Sequence, residues 1–260
     1  MKYSSSSARF LTFCLSLLFT ISSISRGAQS ASELIAKGDS FDARLKTADA
    51  LDAYLTAEKL TPDDPDLLIK IAKQYGESMV DLADKDDQLA AGRRALDYAK
   101  RALSLAPDLS DAQLAVAICY GRLLDLVSAR EKVEYSRLVK QHTEQALKLD
   151  ENSDYAWHML GRWHRAVATT GPLLKGIVEI VYGGLPEASE AEAVDAFKRA
   201  IALNPDRVAH HIELGLTYAD IGEPRKAERE IRKGLALPSK ERDDPDTKAR
   251  GKAVLDKLEE

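Results

Sequence analysis

Small and apolar residues recur along this chain every three or four positions, the spacing that keeps one face of a helix apolar, and they come in paired stretches. The first pair reads Leu34, Gly38 and Phe41, then Ala50, Tyr54 and Ala57, and closes at Pro62. The last reads His211, Leu214, Gly215 and Tyr218, turns at Gly222-Glu223-Pro224, and continues with Ala227, Ile231 and Gly234. In both, twelve positions separate the glycine of the first stretch from the alanine that opens the second. Three copies between them keep the register with wider gaps. Ile71, Ala72 and Tyr75 lead to Ala95, Ala99 and Ala102; Gly121 leads to Val139, Thr143 and Ala146; Trp157, Leu160 and Gly161 lead to Ala193, Phe197 and Ala200. These gaps exceed twelve by eleven, six and twenty residues, each excess falling between the two halves of a copy.

Five such copies in series follow the spacing of tetratricopeptide repeats, in which each copy is a helical hairpin. Small residues let the two helices of a hairpin approach, and large ones such as Trp157, Phe197 and Tyr218 fill the space against the next hairpin. No hairpin buries its apolar face alone, so stacking supplies the core. The predicted fold is an all-α solenoid of about five irregular tetratricopeptide-like hairpins, at about 31–64, 65–109, 110–153, 154–207 and 208–239, closed by a capping helix over 244–259 with Gly251, Val254, Leu255 and Leu258 on one side. Helix starts fit this frame. Asp64-Pro65 and Asp244-Pro245 each place a capping carboxylate before a proline at the first helical position, and Ser110 with Gln113, like Ser189 with Glu192, has capping-box spacing.

The first 30 residues stand outside the repeats. Lys2 and Arg9 precede an apolar run from Phe10 to about Ile24, and Ala28-Gln29-Ser30 is a small-x-small site that a signal peptidase recognises. The reading is a cleaved export signal at 1–30, with a periplasmic or secreted protein beginning near Ala31; the alternative is an uncleaved membrane anchor. Lys2, Arg9 and Arg26 lie in this segment and no acid does, so the remainder holds 34 basic and 42 acidic side chains, near −8. That balance argues against a nucleic-acid surface, which needs a basic excess. Cys119, the one cysteine beyond the segment, lies among apolar residues on a predicted helix and reads as core.

No signature of catalysis, metal or cofactor binding is present: no phosphate-binding glycine loop, His-Glu-x-x-His, Cys-x-x-Cys or nucleophile elbow. His210 and His211 are adjacent and His158 and His164 six apart, spacings that make poor metal pairs on a helix, and Asp63-Asp64-Asp66 and Asp243-Asp244-Asp246 read as helix starts. Two features point to binding. The position after the Leu-Gly pair, which faces the concave groove, is occupied by Asp39, Lys73, Arg122, Arg162 and Leu216, with Tyr155, His158 and Arg165 beside Arg162. Converging Lys73, Arg122 and Arg162 would form an anion site for a peptide with an acidic segment or a free carboxyl terminus. The second feature is the insertion from Pro172 to Pro186, whose Leu173, Leu174, Ile177, Ile180 and Val181 suit a short helix. The favoured expectation is that this helix fills the gap between the separated halves of the fourth copy; the alternative is an apolar lip for lipid or an acyl chain.

The segment HTEQALKLDENSDYAWHMLGRWHRAVA, followed by the apolar insertion and then AVDAFKRAIALNPD, resembles the regulator of microtubule dynamics protein family, in which a similar helix end, a G-x-W helix and a long apolar insertion come in the same order. The resemblance covers roughly Asp111 to Lys240. It implies an all-helical repeat domain used for association with microtubules, spindle poles or membranes, and carries over no catalytic residue. The resulting expectation is a non-enzymatic protein-binding scaffold, with a lipid-binding module and a cytoskeletal adaptor as alternatives.

Overall fold

A computed structural model of the protein describes residues 30–260, and the expected export signal at 1–30 lies outside that range except for Ser30. The described residues form twelve α-helices and no strand: α1 Ala31–Asp42, α2 Thr47–Glu58, α3 Pro65–Ser78, α4 Lys85–Leu105, α5 Ser110–Leu123, α6 Ala129–Leu149, α7 Asp154–Ala168, α8 Pro172–Tyr182, α9 Glu190–Leu203, α10 Val208–Asp220, α11 Pro224–Ala236 and α12 Asp244–Leu258. Helices α1/α2, α3/α4, α5/α6, α7/α9 and α10/α11 pair as five hairpins, and each hairpin packs on the next in chain order. None of these helices is long and apolar enough to cross a membrane.

Helix crossings are set by the glycines of the repeat. A Cβ on Gly38 would lie 2.3 Å from the Tyr54 ring, and one on Gly215 would lie 2.6 Å from Ile231 and 3.1 Å from the Ala227 carbonyl oxygen. Only a residue without a side chain allows that approach. Tyr54, Ala50 and Ala57 are fully buried in the first hairpin, as are Phe197 and Ala200 in the fourth.

The wide gaps of the second and third copies are helical, which differs from their expected place between helices. The opening alanine is the fourth residue of α2, α9 and α11, whereas Ala95 and Val139 are the eleventh residues of α4 and α6. Seven added residues make about two turns, so the buried face keeps its register while the helix lengthens.

Several local expectations are corrected. Trp157 is only half-buried, its indole N–H donating to the Glu151 carbonyl at 2.8 Å; the interior indole is Trp163, 4% exposed and donating to the Ser136 carbonyl. Asp64 caps α3 as expected, accepting from the amides of Asp66 and Leu67. Ser110 does not cap α5, and its hydroxyl donates to the Ala146 carbonyl instead. Asp244 lies inside α12 and turns its carboxylate back onto the amides of Lys240 and Glu241. Ser189 does accept from the Glu192 amide, and Ser30 and Ser128 form full capping boxes with Glu33 and Glu131.

The insertion is helical, but it does not fill a gap. Gly161 brings α7 against α9, a Cβ there lying 2.9 Å from Phe197, so the hairpin closes directly and leaves nothing to fill. Helix α8 instead lies outside, touching α6, and none of its residues is buried; Leu173 and Ile180 are 80% and 87% exposed, with Leu174, Ile177 and Val181 also exposed. Its end is pinned by Arg137, whose guanidinium donates to the carbonyls of Tyr182 and Gly184 where Gly183 and Gly184 take left-handed backbone.

Candidate functional site

The concave surface carries the expected cations in two separate places. The first is a cavity of about 370 Å³ whose floor is apolar, built by Ile69 and Ala72 of α3 and Leu114, Ala115, Ile118 and Cys119 of α5. Lys73, Arg122 and Tyr155 line it. Its roof is the connector of residues 237–243 between α11 and α12, which crosses the groove and contributes Lys240, Glu241, Arg242 and Asp243. Lys73 is held by Asp42 at 2.7 Å and by Glu77 at 3.5 Å. Arg207 contacts the Tyr155 ring face, 4.9 Å from its centroid, and pairs with both Asp154 and Glu241. Arg122 is different. It is half-buried, its side chain passes 3.2 Å from where a Cβ on Gly76 would be, and among the described residues it makes no ion pair. Burial pushes the neighbouring Glu77 carboxyl above its ordinary value, with Lys73 and Arg122 opposing the shift. Cys119 is buried core as expected, and burial pushes its thiol up to about 12.

The second place holds Arg162 and Arg165. They do not converge with Lys73 and Arg122; they surround Glu213 of α10, which is 3% exposed. Arg165 donates to one carboxylate oxygen at 2.9 Å, Arg250 of α12 donates to the other at 2.9 Å, and Arg162 stands 4.0 Å away. Arg165 also holds Asp220 at 2.7 Å. Burial pushes the Glu213 carboxyl up, but the guanidiniums of Arg162, Arg250 and Arg165 outweigh it and leave the value lowered. The sixth expected groove residue, His158, is 2% exposed and belongs to the interior. Leu216 is buried as well, because α12 packs across α10 at that level.

The sequence profile of the Regulator of microtubule dynamics protein 1-3 family matches residues 30–259. The chain belongs to this family. Among curated relatives it is similar to Regulator of microtubule dynamics protein 1 of Mus musculus, 24% identical over 70% of this chain and 60% of that protein. It is 27% identical to the Bos taurus protein of the same name, over 58% of this chain and 48% of that one, and 23% identical to Regulator of microtubule dynamics protein 3 of Xenopus laevis, over 73% and 41%. The matches thus span about half the length of these relatives. Among solved structures, a tetratricopeptide-repeat protein of Thermus thermophilus superposes with a TM-score of 0.62 at 18% identity, over 87% of this chain and 99% of that one. That similarity shows the fold.

Within this family fold, α7 and α10 are joined by a polar contact that helical spacing did not reveal. His158 and His210 approach to 3.1 Å between their Nδ1 atoms, and His210 Nε2 lies 2.9 Å from Asp154 Oδ2. A carboxylate only accepts and a neutral imidazole has one N–H, so His210 donates to Asp154 through Nε2 and accepts from His158 through Nδ1. Burial holds His158 well below the ordinary histidine value; it also lowers His210, against the opposing pull of Asp154. Residues 210 and 158 lie on separate hairpins, so spacing within one helix carried no signal of the pair. The roof residues were missed for a similar reason: residues 237–243 follow the last hairpin and have no position in the repeat register.

Proposed function

We propose that this chain is a non-enzymatic scaffold that binds an extended peptide along its concave groove, with an acidic side chain or free carboxyl terminus of the partner on Arg122. The observation that supports this reading is a half-buried guanidinium, without an ion pair among the described residues, beside an apolar floor in a cavity of about 370 Å³. A guanidinium offers a planar fork that a carboxylate fills with two charge-assisted hydrogen bonds, and the apolar wall accepts the partner's side chains. Affinity should fall as salt rises, since part of it is ionic.

Fluorescence anisotropy tests this with a labelled ten-residue peptide of alternating leucine and glutamate ending in a free carboxylate. Arg122→Glu should weaken binding by at least about tenfold, roughly 1.4 kcal/mol, and leave the circular-dichroism melt within about 0.5 kcal/mol of the parent. Equal affinity in the two proteins would remove the reading. Family membership supports a second role, association with microtubules, and co-sedimentation of residues 31–260 with stabilised microtubules decides it. Export remains the reading of residues 1–30. Intact mass of protein from the native host checks cleavage before Ala31, and a mass retaining the segment would replace export with anchoring.

A further inference from the structure

The roof of the groove is itself held by contacts that reach across the whole solenoid. Arg242 donates through Nη1 to the Leu45 carbonyl at 3.2 Å and pairs with Asp81, bridging 197 and 161 positions of sequence. Leu45 has a left-handed backbone, φ 57°, a conformation unfavourable for a branched side chain, in the turn that presents its carbonyl to Arg242. At the other edge Glu241 pairs with Arg207 at 2.7 Å. Among the described residues, the helices of the first two hairpins otherwise pack within their own hairpin or against an adjacent one, and residues 237–243 tie the two ends together. The segment is short and without secondary structure between the two helices; Leu237 packs on the core beneath α12, while Glu241 and Arg242, both half-buried, hold the rest of it through side-chain contacts. Such a segment is drawn from the low-stability end of a fold.

We propose that residues 237–243 form a latch over the groove, pinned by Arg242, and that a peptide reaches the chamber by displacing it. This rests on the peptide-binding reading above. The latch places its own acid, Glu241, on Arg207 and its own side chains over the apolar floor, so latch and partner compete for the same surface. A site that is open a tenth of the time binds about tenfold more weakly than an open one, and removing the pin should recover that factor.

Two measurements test the proposal on the folded chain. Hydrogen–deuterium exchange of the amides in 239–243 should quicken several-fold in Arg242→Ala and also in Asp81→Ala, which removes the Asp81 contact from an exposed partner. Unchanged exchange in both would show that Asp244, Lys248 and the Glu241–Arg207 pair hold the connector without Arg242, and the latch would be wrong. The leucine–glutamate peptide should then bind both variants about five- to tenfold more tightly than the parent, in proportion to the open fraction. Faster exchange with equal peptide affinity would keep the scaffold and overturn the gate. Faster exchange with no peptide binding to any of the proteins would overturn the groove reading and the gate with it.

Discussion

Arg122 and Arg162 of the concave surface come from the same position of the repeat and end in different states. Arg162 stands 4.0 Å from Glu213 on the next hairpin, an acid whose two oxygens Arg165 and Arg250 already hold. Arg122 stands one repeat earlier, faces the connector, and finds no acid within ion-pair distance among the described residues. The register of a repeat therefore decides where a cation points, and the neighbouring hairpin decides whether it stays available. Binding capacity in such a stack lies where the neighbour fails to supply the counter-charge.

The largest effect that would break this contrast is on stability. Arg165→Ala leaves Glu213 buried with one fewer hydrogen-bonded guanidinium, and a hydrogen bond to a charged group contributes about 1.5–3 kcal/mol. Urea melts should show a loss in that range, against about 0.5 kcal/mol or less for Arg122→Ala. Equal losses in the two variants would mean that Arg122 is also structural. The same contrast has an acid limb. The lowered value of Glu213 contributes stability that is present above the ordinary 4.5 and lost as pH falls through the folded value, so the advantage of Arg165 should shrink below pH 4.5.

A second effect separates the two ends at milder pH. His158 and His210 are kept below the ordinary 6.5 by burial, with Asp154, Arg207, Arg162 and Arg250 around them, while no histidine lines the chamber under the connector. The folded state then binds fewer protons than the unfolded state once pH drops under 6.5. Stability is full above that value and declines as pH falls toward the folded values, by up to about 1.4 kcal/mol per pH unit for each proton. Melts between pH 7.5 and 5 should show this slope. His158→Gln, which retains a donor for His210, should flatten it by about one proton; an unchanged slope would place the titration elsewhere.

What the sequence made legible was whatever the repeat encodes locally. Gly38, Gly161 and Gly215 mark close helix crossings because contact within a hairpin recurs at fixed spacing, and all three lie against the ring or aliphatic chain of the paired helix. The register also put Lys73, Arg122 and Arg162 together, of which Lys73 and Arg122 share the chamber with Tyr155 and Arg162 lies apart. It did not show that His158 turns inward, since its partner His210 sits 52 positions away on another hairpin. Nor did it show the connector, whose anchors at Leu45 and Asp81 lie at the opposite end of the chain. The insertion failed for a different reason: a glycine that permits direct closure removes the gap that the length of the insertion suggested.

The smallest stability effect belongs to that insertion. Had Leu173, Ile177, Ile180 and Val181 been buried, a polar replacement would remove roughly 1.5–3 kcal/mol per side chain. With Ile180 87% exposed and α8 set against the outside of α6, Ile180→Glu should shift stability by no more than about 0.5 kcal/mol. Because an exposed apolar face of this kind marks a contact surface, the same variant should show whether the face is used. Flotation with vesicles of neutral phospholipid reads the lipid alternative, and retention of the parent protein with release of Ile180→Glu would support it. Equal behaviour of the two proteins, with unchanged melts, would leave α8 as a solvated addition and keep the Arg122 chamber as the binding surface. A melt lowered by about 2 kcal/mol or more, the loss expected of a buried side chain, would instead show that α8 packs on the solenoid in solution.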